Sequence, residues 1–86
     1  MKIYYSVKFE RKYKKLPKKI KEKIKEKEHI FRKNPFDKSL KTHKLSGKLS
    51  GLWAFSIDQK YRIIFELKNK NTIWLHSVGD HSVYKF

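Results

Sequence analysis

The chain has 86 residues, 38% of them hydrophobic, no cysteine, and a formal net charge of +15 made by 20 lysines and three arginines against eight acidic residues. That length suits one core and one domain, 1–86, and the lack of cysteine excludes disulfides and thiolate metal sites. Apolar runs of only a few residues exclude a membrane span, a lysine-rich start without an apolar signal core points to the cytoplasm, and the charge suits a polyanionic partner.

Two tryptophans, five tyrosines and six phenylalanines supply the large side chains that a chain this charged needs to offset the entropy of folding. Residues 2–5 suit a short strand, and Ser6 is placed to cap a helix that begins directly after it. Phe9, Tyr13 and Leu16 follow at spacings of four and three, one stripe of a short helix. Pro17 ends that helix or opens the next, and residues 18–33 are again helical, with Ile20, Ile24 and Phe31 facing inward. The two helices make a hairpin whose outer side is dense in lysine, either a solvated face or one that contacts RNA.

Asn34-Pro35-Phe36-Asp37 breaks the second helix. A loop and the block Thr42 to Gly47 follow, and Gly51 makes another break. Trp53, Phe55 and Ile57 then alternate with Ala54, Ser56 and Asp58, the period of a strand with one bulky wall. The turn at Asp58, Gln59 and Lys60 returns the chain into residues 61–67. There Tyr61, Ile63, Phe65 and Leu67 form a buried wall, and Arg62, Ile64 and Glu66 take the other side. A polar turn at 68–71 leads to a third strand over 72–78, in which His76 is expected to be structural and Trp74 to pack in the core, with stacking on a base as the alternative. Gly79 is expected to end that strand, and residues 80–84 to form an edge segment.

This order predicts an α+β domain, a strand and two helices packed on one face of a twisted, mainly antiparallel sheet. The opposite face, expected to be the more polar one, brings Ser56 and Arg62 together, with Lys60 at the same parity as Arg62. It is the natural place for a site.

No nucleotide-binding glycine loop, paired carboxylates, nucleophilic serine motif or metal-like histidine spacing is present, so no cofactor or metal is expected. What the residues do suit is phosphodiester chemistry: a base for a ribose 2′-hydroxyl, cations for the crowded phosphorane and an acid for the leaving oxygen. His81, beside a strand end, is the first acid/base candidate, and His43 follows the same logic. Arg62, in the middle of a strand, either holds a phosphate or pairs with Glu66 or Asp80. Tyr84 is a candidate to stack on a base. His29 is expected to be structural.

The blocks Thr42-His43-Lys44-Leu45-Ser46-Gly47, Gly51-Leu52-Trp53-Ala54-Phe55-Ser56, Tyr61-Arg62-Ile63-Ile64-Phe65 and Gly79-Asp80-His81-Ser82-Val83-Tyr84 resemble the RelE/ParE superfamily of toxins, nearest the YafQ-like branch. The likeness spans essentially the whole chain. It implies a microbial-ribonuclease-like fold and metal-independent endonucleolytic cleavage of mRNA in the ribosomal A site. It also implies a cognate antitoxin, expected to be acidic, as partner.

Carried over by position, His81, His43, Arg62, Lys60 and Tyr84 are the catalytic set. Lys12, Lys15, Lys18, Lys19, Lys44 and Lys48 are candidates to rest on mRNA or ribosomal RNA. Ser56 and Lys60 stand where YafQ-like enzymes place a further histidine and an aspartate. Two other readings within the same family are a ParE-like inhibitor of DNA gyrase without nuclease activity and an inactive relative that binds only RNA or an antitoxin.

Overall fold

The structure is a computed structural model that describes residues 1–80 and Val83. Strand β1 (Lys2–Tyr5) leads into helices α1 (Val7–Lys14) and α2 (Lys18–Lys33). Strands β2 (His43–Lys44), β3 (Trp53–Ser56), β4 (Arg62–Asn69) and β5 (Thr72–Gly79) follow, with 3-10 turns at Lys38–Leu40 and Gly47–Leu49. The strands form one sheet in the order β1-β5-β4-β3-β2, in which β1 runs parallel to β5 and its other neighbours pair antiparallel.

Both helices begin and end where local chemistry dictates. The Ser6 hydroxyl oxygen accepts the N–H of Phe9 at 2.9 Å, capping α1, and the same hydroxyl donates to the His76 carbonyl at 2.7 Å, tying the cap to β5. Pro17 precedes the first turn of α2, where its missing N–H costs nothing. That helix stops at Asn34, extended at φ −158°, because the ring of Pro35 disfavours a helical residue before it.

The helices bury their apolar stripe against one sheet face. Phe9, Ile20, Ile24 and Phe31 meet Phe55, Ile63, Phe65, Ile73, Leu75 and Val78 there. Phe31 sits at the centre, fully buried, its ring 4.5 Å from Phe55 in a stacked pair and 5.0 Å from Phe65 edge-on. Tyr61 and Leu67 pack at the margin, so the buried wall of β4 is the one its alternation predicts.

Four features differ from the sequence reading. The far face is not simply polar: Ala54, Ile64 and Val83 form a second buried cluster there with Leu45 and Leu52. The chain returns over this face at Val83, so β4 is buried on both sides. Trp74 is not core but 41% exposed, since Ile73 and Leu75 take the inward parity and leave their neighbour outward beside Tyr4. Strand β5 runs through Gly79, which pairs with Arg62. Strand β1 joins the sheet at an edge by parallel pairing with β5, which periodicity alone cannot specify, and the edge segment expected over 80–84 lies largely outside the described residues.

Phe31→Ala should lower unfolding free energy by about 3–5 kcal/mol, and Ser6→Ala by about 1 kcal/mol, in urea titrations followed by circular dichroism. Trp74→Ala, on the open face, should cost less than about 1 kcal/mol.

Candidate active site

Strand register aligns side chains in rows across the far face. Ser56 pairs with Arg62 and Arg62 with Gly79, while two residues along His43 pairs with Ala54, Ala54 with Ile64 and Ile64 with Ser77. Lys41 precedes β2 by two residues, at the end of the Lys38–Leu40 turn. Arg62 and His43 thus share a face on adjacent rows, and the central hydrophobic strand positions the first of them.

The turn before β4 holds the arginine. Asp58 accepts the N–H groups of Lys60 at 2.9 Å and Tyr61 at 2.7 Å through Oδ1, and pairs with Lys23 at 3.1 Å through Oδ2. Burial alone would raise its pKa, but these donors together hold it below the usual carboxylate value. The reversal presents main-chain carbonyls to Arg62, whose Nη1 donates to those of Asp58 at 2.5 Å and Tyr61 at 3.0 Å. Glu66, one ion-pair partner the sequence offered for Arg62, is engaged elsewhere, by Lys68 at 3.0 Å and His76 at 2.9 Å. Those two hydrogen bonds lower the Glu66 pKa, and they give His76 a structural partner.

His43 is exposed on β2, with Nδ1 3.0 Å from the carbonyl oxygen of Lys41. A carbonyl can only accept, so Nδ1 carries the proton, and a neutral ring then keeps its lone pair on Nε2. That is the tautomer a general base needs. Lys41 supplies this carbonyl from a left-handed backbone, φ 52°, a conformation that costs a residue with a Cβ about 1–2 kcal/mol.

Lys60 lies in the exposed turn rather than in the strand, its ammonium 5.5 Å from the ring centroid of Tyr61, on the core-side margin. His81 and Tyr84 lie outside the described residues. Val83, which is described, is buried against Ala54 and Ile64. His29 is exposed on α2.

Lys12 and Lys15 share one face of α1 with Lys8 and Arg11, at helical spacings of three and four, and line a groove of about 410 Å³. Burial, and then the nearby Lys8, lower the pKa of Lys12, with Asp80 opposing. The same two lysines border a cavity of about 250 Å³ with Gly79 and Asp80, the residue before His81 in the chain. Lys18 and Lys19 are exposed in the first turn of α2. Lys48 is exposed on the Gly47–Leu49 turn, and the Lys44 ammonium lies 5.3 Å from the ring centroid of Trp53.

Sequence reasoning passed over two cations. Lys27, from α2, and Lys41 line a cavity of about 290 Å³ together with Ser39, Ser56, Asp58 and Arg62. The interruption of the α2 stripe at Lys27 was the available signal for one. Nothing local marked Lys41, which meets Ser56 and Arg62 only in the walls of this cavity.

Asp58→Asn tests the turn through pH. Because the folded carboxylate has a depressed pKa, its stabilisation is complete above the unfolded value of about 4 and is lost as pH falls through the folded one. Thermal melts should show the variant less stable at neutral pH and flatter below about pH 4 than the native chain.

No protein-family model matches the sequence, and no curated protein matches it. Solved structures do match. YafQ from E. coli strain BL21(DE3) superposes with a TM-score of 0.81 at 19% identity, covering 98% of this chain and 97% of that one. In the E. coli DinJ-YafQ toxin-antitoxin complex the values are 0.78 and 19%, over 98% and 96%. The YoeB-YefM complex from Staphylococcus aureus gives 0.76 at 25% identity over 94% and 97%, and the YoeB/ParE toxin from Agrobacterium tumefaciens 0.79 at 19% over 94% and 99%. Two helices on one face of this five-stranded mixed sheet therefore give the chain the fold of the YafQ and YoeB toxin structures.

Proposed function

We propose that the chain is the toxin of a type II toxin-antitoxin system and a ribosome-dependent endoribonuclease that cuts mRNA by acid/base chemistry without a metal. The observation that carries this reading is the far sheet face, where Arg62 is held by main-chain carbonyls one row from a histidine whose Nε2 is left as acceptor. The likeness to YafQ and YoeB structures supports the same reading.

In this scheme His43 Nε2 removes the proton of a ribose 2′-hydroxyl, and the 2′-oxygen attacks the adjacent phosphorus. Arg62, with Lys60 reorienting from Tyr61, neutralises the phosphorane, and His81 protonates the leaving 5′-oxygen. The products are a 2′,3′-cyclic phosphate and a 5′-hydroxyl. Tyr84 stacks on a base or orients it, and Lys12, Lys15, Lys18, Lys19, Lys44 and Lys48 rest on RNA. An acidic antitoxin is the expected protein partner, in keeping with the complexes known for YafQ and YoeB, and the cytoplasm is the expected compartment.

A second reading, inhibition of DNA gyrase, is kept because one likeness carries the name YoeB/ParE. Primer extension on a translated message separates the two. Wild-type protein should produce cuts within the reading frame. His81→Ala should lose at least about a hundredfold in cleavage, together with growth arrest, while still binding the antitoxin. A fully toxic His81→Ala variant would sink the acid/base assignment, and blocked replication with intact messages would favour the gyrase reading.

A further inference from the structure

We propose that the cavity lined by Lys27, Lys41 and Arg62 is a binding site for a phosphate group, in which Lys41 is a binding residue and not an acid or base. Three cations from three parts of the chain face one space of about 290 Å³: Lys27 from α2, Lys41 from the end of the Lys38–Leu40 turn and Arg62 from β4. Ser39 and Ser56 border it as well. Like charges gathered this way repel one another, and an anion seated among them removes that cost.

The carboxylate in the wall does not neutralise the site. Asp58 gives Oδ1 to the N–H groups of Lys60 and Tyr61 and Oδ2 to Lys23. Arg62 is anchored through Nη1 to main-chain carbonyls, which fix the guanidinium without cancelling its charge. Lys27 also lies in the field of Asp37, whose Oδ1 is taken by the N–H and hydroxyl of Ser39. Lys41 and Arg62 are therefore the principal anion contacts, and Lys27 supplies a longer-range attraction.

Lys41 itself gives the second reason. Its left-handed backbone, φ 52°, closes the Lys38–Leu40 turn at a position where glycine or asparagine fits with less strain. Its carbonyl orients His43 from that conformation, a job glycine would do equally well. Only the side chain distinguishes lysine there, at a residue that lines the cavity.

Lys41 and His43 are two residues apart, and Arg62 belongs to both groups, so the phosphate held here lies at the candidate cleavage site. Its assignment to an RNA backbone rests on the ribonuclease reading, whereas phosphate binding does not.

The test is a titration of the full chain with inorganic phosphate and, separately, with a dinucleoside monophosphate, followed by ¹⁵N–¹H correlation spectra. Lys41→Gly removes the cation while preserving the backbone and the carbonyl that holds His43, so it should fold at least as stably as the native chain. Saturable shifts are expected at Ser39, Lys41, Ser56 and Arg62, and Lys41→Gly should weaken binding about tenfold. Lys70→Gln, in the distant β4–β5 turn, should leave binding unchanged. Tighter binding of the dinucleotide identifies an RNA backbone phosphate as the source, and tighter binding of inorganic phosphate a terminal or free phosphate.

Equal weakening by Lys70→Gln, or native affinity in a folded Lys41→Gly, overturns the site by reducing it to general charge. Cleavage is scored apart from binding. A chain that binds phosphate here but cuts no message keeps this site and loses the ribonuclease reading, and a cutting chain whose Lys41→Gly variant binds phosphate normally does the reverse.

Discussion

Burial of β4 on both faces is the constraint from which the rest of the molecule follows. On the helix side Ile63 and Phe65 meet Phe31, and on the other side Ile64 lies under Val83 beside Ala54. A strand with hydrogen-bonded neighbours on both edges and side chains packed on both walls has one register, because a one-residue slip would exchange the two walls. Everything that reaches the far face, from Arg62 at its start to Glu66 further on, inherits its position from that register. The arginine is precise because the hydrophobic strand carrying it cannot move.

Rigidity at β4 gives way to strain and exposure at the margins of the same face. Lys41 sits in a left-handed conformation and His43 on a strand of two residues, both outside the main core. The candidate site thus joins a fixed strand to a lightly held loop, so that one anchor remains in place while the other adjusts. The bulge where β5 inserts His76 between the partners of Ile64 and Phe65 adds local twist, turning that imidazole to Glu66 and leaving Trp74 and Tyr4 outward.

Local patterns carried most of the fold in the sequence. Ser6 as a cap, the stop at Asn34-Pro35 and the inward parities of Phe55, Ile63 and Phe65 follow from short-range chemistry and from periods of 3.6 and 2. The parallel pairing of β1 with β5 did not, since it joins segments about seventy residues apart and leaves no local mark. Trp74 misled because size suggested core, whereas parity with Ile73 and Leu75 decides the matter. At the candidate site, Arg62 was visible as a charge inside an apolar strand, but Lys41 was not, because its importance depends on a neighbour fifteen positions along the chain. The second cluster was missed for the same kind of reason: Val83 meets Ala54 and Ile64 only in three dimensions.

The distribution of the eight acidic residues sharpens what the net charge of +15 means. Several acids serve structural junctions: Asp58 closes the turn into β4, Glu28 joins Tyr5 and Arg32 across from β1 to α2, Glu66 fixes His76, and Asp37 caps the turn before Lys41. Some lysines are absorbed by aromatic faces, as Lys21 is on Tyr13, Lys44 on Trp53 and Lys68 on Trp74, contacts worth about 0.5–1 kcal/mol each at exposed sites. The α1 face of Lys8, Arg11, Lys12 and Lys15 is built differently, as a groove lined wholly by cations. Random solubilising charge would scatter acids and bases alike over the surface. Four of the eight acids instead close structural junctions, and the α1 groove is left with cations alone, a one-signed surface of the kind that concentrates anions beside it.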